Sequence, residues 1–178
     1  GYATGMFGKW HLGDEIGRYP TDQGFDEWYG IPNSSDQAFW PDSDSFQADA
    51  GVEFTRVMSA KRGEVPTKHE VYDRNKRRII DREITDKAID FIQRAAGKEN
   101  PFFAFLPYTQ THEPVDAHPE FRGYTGNGSF ADVLAQTDSY VGELLETLDS
   151  LNIQENTLVR GEHRSFGFTG PWRGSMFS

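Results

Sequence analysis

Cysteine is missing from all 178 residues, which removes disulfides, thiolate-bound zinc, iron–sulfur clusters and a cysteine nucleophile from this stretch of chain. Long apolar runs are missing too: nothing approaches the ~20 residues that a membrane-spanning helix needs. No basic segment leads into an apolar one, so no secretory leader is visible. Apolar residues make up only 36%, low for a globular domain, and there is no internal repeat or low-complexity tract. Positive charge is scarce: 18 Lys and Arg stand against 28 Asp and Glu, for a net charge of −10. A field of that sign disfavours nucleic acid or an anionic membrane surface as partner. What the chain does have is aromatics, with 14 Phe, 7 Tyr and 4 Trp, enough for a thin, aromatic-rich core. It opens on Gly1 and stops at Ser178 without a closing element, which reads as an internal piece of a longer protein.

Periodicity organises the rest. Residues 1–13 are Gly-rich around Met6 and Phe7, the pattern of a strand entering a loop. Residues 14–48, rich in Pro, Gly, Asp and aromatics, read as ordered irregular structure. Residues 49–76 read as a charged surface excursion holding a short hairpin. Ile80, Ile84, Ala88, Phe91, Ile92 and Ala95 fall on one helical face, with Gly97 at the place of a left-handed C-terminal cap. The uninterrupted apolar run 101–106 predicts a strand buried on both faces. Phe130, Val133, Leu134, Val141, Leu144, Leu145 and Leu148 predict a second helix, capped by Ser129 or Asn127. Thr157, Leu158 and Val159 begin another expected strand. This βαβαβ order predicts an α/β fold with a mostly parallel central sheet flanked by helices. Ligands of such sheets bind beyond the carboxyl ends of the strands, here the loops after Phe7, Leu106 and Val159.

Two of those loops carry unusual polar residues. Lys9 and His11 lie two apart in Gly8-Lys-Trp-His-Leu-Gly13, and in extended backbone they point the same way. A fixed cation beside an imidazole suits an anion with a leaving group. His112 directly follows the 101–106 run. Ser34, Ser35 and Asp36 can bond backbone locally or reach a ligand. Residue types alone leave the plainer reading open for each: a surface lysine, a histidine packed on Trp10, a loop histidine bonded to backbone. His69, His118 and His163 have no functional reading of their own.

Together these loops resemble the type I sulfatases of the alkaline phosphatase superfamily. Gly1-Tyr-Ala-Thr-Gly-Met-Phe-Gly-Lys-Trp-His-Leu-Gly13 matches all nine fixed positions of the family pattern G-Y-x-T-x-x-x-G-K-W-H-L-G. Gly24-Phe25-Asp26 with Gly30 is similar to G-F-D-x-x-x-G, and Gly30-Ile-Pro-Asn-Ser-Ser-Asp-Gln37 to the stretch that follows it in arylsulfatases. Pro101-Phe-Phe with His112-Glu-Pro114 resembles P-F-F…H-x-P, the stretches from Phe130 and Asn156 match the next helix and strand, and Gly170-Pro-Trp-Arg-Gly174 resembles P-x-R-G. The resemblance covers nearly everything but residues 38–76.

It implies an alkaline-phosphatase-like fold, incomplete here, with residues 1–178 forming part of a catalytic domain. It further implies sulfate-ester hydrolysis by an arylsulfatase-type enzyme acting on a small-molecule or glycan ester. Cofactors implied are Ca²⁺ and a formylglycine made from a cysteine or serine upstream. By motif, Lys9 would bind the sulfate and aldehyde oxygens and His11 would take the proton of the sulfated hydrate. His112 would bind the sulfate and protonate the leaving alkoxide, and Ser34 would contact the substrate. Metal ligands are expected outside this chain. No C/S-x-P/A-x-R motif occurs in it, and Val159 runs into Arg160-Gly-Glu-His-Arg164 where the family has S-D-N-G. The lysine expected after P-x-R-G is replaced by Met176. The 178 residues alone are therefore expected to be inactive. Two alternatives stand beside this reading: a phosphodiesterase or phosphonate hydrolase of the same superfamily, and a degenerate, non-catalytic sulfatase-like binding protein. The family resemblance implies a periplasmic, secreted or lysosomal location.

Overall fold

The computed structural model describes residues 1–37 and 53–161; His163, Met176 and the 170–174 motif lie outside them. In chain order the elements are β1 (Ala3–Lys9), β2 (Glu27–Ile31), β3 (Arg56–Lys61), β4 (Thr67–Val71), helix α1 (Arg74–Ala96), β5 (Phe102–Phe105) and helix α2 (Ser129–Ser150). The strands form one sheet in the order β4-β3-β2-β1-β5. β1 pairs in parallel with β2 on one side and with β5 on the other. The hairpin β3–β4 is added antiparallel outside β2.

Alternation along the central strand explains the two-sided core. Phe7 faces α1, joining Ile31, Val57, Ile80, Ile84, Ala88, Phe91, Ile92 and Ala95. Met6 faces the other way, onto Tyr19, Trp28, Met58 and Ala60. The first face is covered by the apolar stripe of α1, whose first turn is capped by the Asp73 carboxylate accepting from the Lys76 amide at 2.8 Å. α2 packs on α1, where Arg82 bonds Glu143 and lies 4.6 Å above the Tyr140 ring.

Several expectations change here. The sheet is mixed: the 49–76 excursion contributes β3 and β4 to it, and Val57 and Met58 are core residues. β2, inside the stretch read as irregular, is a parallel strand. β5 is not buried on both faces; among the described residues it is paired only with β1, and Phe103 is 51% exposed. Thr157, Leu158 and Val159 form no strand, and Leu158 is 94% exposed. Without a neighbouring strand to pair with, an apolar triplet has no reason to stay extended in a sheet. Gly97 ends α1 at φ −79°, not in the left-handed region, and Gly128 rather than Ser129 or Asn127 precedes α2. Among the described residues no helix is long and apolar enough to cross a membrane.

Candidate functional site

The carboxyl ends of β1, β2 and β5 converge at two glycines and a proline. Gly8 stands opposite Gly30 in the parallel ladder. A β-carbon on Gly8 (φ +141°) would lie 2.1 Å from the Pro107 carbonyl oxygen, and one on Gly30 (φ +156°) 1.9 Å from the Gly8 carbonyl oxygen. Glycine is thus required at both positions for the three backbones to approach. Beyond them the chain continues the ladder: the Lys9 amide donates to Pro107 O at 2.9 Å, the Trp10 amide to Ile31 O at 2.9 Å and the His11 amide to Pro32 O at 2.8 Å. Trp10 anchors the loop, its indole donating to Arg18 O at 2.8 Å and meeting Phe25 edge-on.

Lys9, Ser34 and His112 come together around a fourth residue, Asp36. The His112 Nδ1 lies 3.9 Å from Asp36 Oδ1, an ion pair when the imidazole is protonated. Ser34, almost fully buried, favours the ionised form of the Asp36 carboxylate. Desolvation pushes the Asp36 carboxyl up, but Ser34 and the His112 and Lys9 charges outweigh it and hold it below the ordinary carboxylate value. Desolvation is also the main influence on Lys9, lowering its ammonium from the usual value with help from Arg77, while Asp36 pulls the other way. His11 is placed differently. Its backbone is left-handed (φ 57°), held by the bond to Pro32, and its imidazole is exposed.

The His112 loop is gripped from beneath by α1. Arg77 is buried at 1% exposure. Its Nη2 donates to His112 O (2.8 Å), Gln110 Oε1 (3.0 Å) and Thr109 O (3.1 Å), its Nε to Pro114 O (3.2 Å), and its Nη1 to the Thr109 hydroxyl. One helical turn on, Asp81 accepts from the Thr109 amide (2.9 Å), the Thr109 hydroxyl (2.8 Å) and the Gln110 amide (3.0 Å). Burial pushes the Asp81 carboxyl up, and Arg77 and these donors oppose it. Gln110 Nε2 donates onward to Asp116 O at 2.6 Å, and the His118 amide to Gln136 Oε1 on α2 at 2.7 Å. The His112 ring is fixed locally: Nδ1 lies 2.9 Å from Glu113 O. A carbonyl only accepts, so Nδ1 carries the proton and Nε2 is left for a ligand.

Arg77, Asp81 and Thr109 were not among the residues singled out from the sequence, and Asp36 was named there only as a loop residue able to bond backbone or reach a ligand. The signal for Arg77 and Asp81 was their four-residue spacing in phase with Ile84 and Ala88. Together the cluster offers a cation, a hydroxyl and an imidazole nitrogen on one side of a strand terminus, an arrangement suited to a tetrahedral oxyanion. It is not suited to a divalent cation. Among the described residues no three His, Asp or Glu side chains lie close enough together to hold a metal, and Asp36 is engaged by Ser34, His112 and Lys9.

Comparison with known proteins gives a consistent answer. A family model described as Sulfatase matches residues 1–160. N-acetylgalactosamine-6-sulfatase of Mus musculus is 32% identical over 160 residues, covering 89% of this chain and 29% of that protein. N-acetylgalactosamine-6-O-sulfatase of Bacteroides thetaiotaomicron is 32% identical over 202 residues, covering 89% of this chain and 39% of its own length. The fold matches the crystal structure of the PsFucS1 sulfatase from Pseudoalteromonas sp. with a TM-score of 0.77 at 22% identity, over 86% of this chain and 33% of that one. The chain thus spans well under half the length of the relatives it matches.

Proposed function

The chain belongs to the sulfatase family, and from that premise we propose that the whole protein hydrolyses sulfate esters carried on sugars. Residues 1–178 are then part of its catalytic domain. The observation that carries the reading is the meeting of Lys9 and His112 around Asp36 at the common end of β1, β2 and β5. Sugar sulfates are proposed because both relatives described above are named for N-acetylgalactosamine 6-sulfate.

Each residue has a defined task. The Lys9 ammonium binds a sulfate oxygen and offsets the negative charge that grows there as the ester bond breaks. The Ser34 hydroxyl orients Asp36 and lies beside the sulfate. His112, with Nδ1–H committed to Glu113 O, acts as the imidazolium: it presents Nε2–H to the bridging oxygen, gives that proton to the departing alkoxide and is left neutral with its remaining proton on Nδ1. His11, exposed and left-handed in backbone, is assigned by motif the task of taking up a proton in the later step of the reaction. Family membership further supports a formylglycine nucleophile and a bound Ca²⁺ in the whole protein. Both would come from residues outside this chain, and no step above runs through them. A periplasmic, secreted or lysosomal setting accompanies the reading.

The test is sulfate release by the purified, matured whole protein from an aryl sulfate and from N-acetylgalactosamine 6-sulfate. Release that disappears in Lys9→Ala and His112→Gln supports the proposal. Faster cleavage of a phosphodiester or phosphonate ester would replace it with the related hydrolase reading. No turnover of any ester alongside retained binding of sulfated sugar would leave a binding protein.

A further inference from the structure

We propose that Arg77 and Asp81, joined through the Thr109 hydroxyl, are positioning residues that set the working orientation of His112; this rests on the sulfatase reading above. Neither side chain touches the place where substrate would lie. They occupy the buried stripe of α1, in phase with Ile84 and Ala88, where a guanidinium and a carboxylate are costly to desolvate. Apolar residues there would hold helix to sheet as well. What they would not do is fix individual carbonyl groups.

The bonds show which carbonyl groups matter. Arg77 holds His112 O and Pro114 O, the two peptide oxygens that bracket Glu113. The Glu113 carbonyl is the acceptor for His112 Nδ1. By gripping the chain on both sides, Arg77 sets the direction of the oxygen that selects the tautomer, so that Nε2 faces the site. Asp81 completes the grip from the other end of the loop through the Thr109 and Gln110 amides. Thr109 is the joint between the two. Its single hydroxyl proton goes to Asp81, and its lone pairs accept from Arg77. Fully satisfied, such a network specifies one geometry.

Removing Arg77 outright risks the fold, so the decisive variant is Thr109→Val, which keeps the shape and deletes the hydroxyl; Thr109→Ser restores it. In the whole protein, Thr109→Val is expected to lower kcat roughly 10- to 100-fold with KM changed by less than about 3-fold, and Thr109→Ser to stay within about 2-fold of the parent. An independent readout is the His112 Nδ1–H proton resonance, assigned by its loss in His112→Gln. It should be protected from exchange in the parent and in Thr109→Ser, and exchange freely in Thr109→Val. Unchanged kcat with unchanged Nδ1–H protection, whatever happens to Tm, would overturn the proposal. So would a fall in kcat that leaves the Nδ1–H protected, or a rise in KM alone. If the parent releases no sulfate from any ester, the sulfatase reading fails, and the exchange measurement still decides whether the Arg77–Asp81 pair orients His112.

Discussion

Gly30 lies directly across the parallel ladder from Gly8, so close that a β-carbon on Gly30 would stand 1.9 Å from the Gly8 carbonyl oxygen. The position of Lys9 depends on that approach. Gly30→Ala forces one strand end away from the other in a backbone conformation that L-residues rarely adopt. It is expected to cost about 1–3 kcal/mol in strain alone and to displace Lys9 with it. A thermal melt and a turnover assay on the whole protein check both; a Tm and turnover equal to the parent's would show that the strand ends are not held this tightly.

Lys9 is expected to trade stability for function. Its ammonium is lowered mainly by desolvation. The native state therefore binds fewer protons at this site than the unfolded chain does between the two titrations. The penalty of burying the charge is present at neutral pH, fades as pH rises from the lowered folded value to the ordinary lysine value, and is gone above that. Lys9→Met should raise Tm at pH 7, lose that advantage in strongly alkaline buffer, and cut turnover by about 10²–10³-fold. A Tm at pH 7 below the parent's would reverse the assigned sign.

Asp36 behaves oppositely. Its folded-state titration is lowered once Ser34 and the His112 and Lys9 charges have overcome desolvation. The stability it contributes is present above the unfolded carboxylate value and is lost as pH falls through the folded one. Asp36→Asn should therefore lower Tm slightly at pH 7, with the difference from the parent vanishing as pH falls through the carboxylate range, so that thermal melts trace a flatter acid side of the stability–pH curve. Because the carboxylate is 55% exposed, the effect is small and shrinks with added salt.

The 178-residue chain by itself is expected to release no sulfate from an aryl sulfate, with or without added calcium. It has no C/S-x-P/A-x-R motif to supply a nucleophile. Among its described residues, no acidic or histidine cluster would take up the ion. Calcium-stimulated hydrolysis by this chain alone would refute the assigned division of labour.

How much of this was legible depends on what each residue faces. α1, α2 and β1 follow their hydrophobic periods and were readable. β2 was not, because Trp28, Tyr29 and Gly30 sit in a stretch where Pro, Gly and Asp signal irregular chain; its pairing with β1 on one side and β3 on the other makes it a strand. Thr157, Leu158 and Val159 misled in the other direction, since an apolar triplet is a strand only where a neighbour exists. Lys9, His11, Ser34 and His112 were named from the motifs they sit in, and of these Lys9, Ser34 and His112 meet around Asp36. Arg77 and Asp81 were hidden in Arg74-Asn-Lys-Arg-Arg-Ile-Ile-Asp81, a run whose charge density reads as solvated. Two of its charges point inward, and no local feature but helical phase marks them. Asp36 was visible as a loop residue, but its role depends on contacts with Lys9 and His112, from two other strand ends.

The pairing of Ala3 with Phe102 has a consequence for the order of events during synthesis. β1 meets β2 after a short wait, and β3 can fold back on β2 soon afterwards. β5 follows only later in the chain, and its pairing with β1 closes a loop of about 100 residues, which is slow. Until then the nascent chain has Lys9 in place on a half-built sheet, with its histidine partner still inside or just leaving the ribosome. Among the described strands, β5 is the last to be made, and its pairing with β1 is the one that brings the His112 loop to Lys9, so the two meet at a late step of assembly rather than by gradual growth.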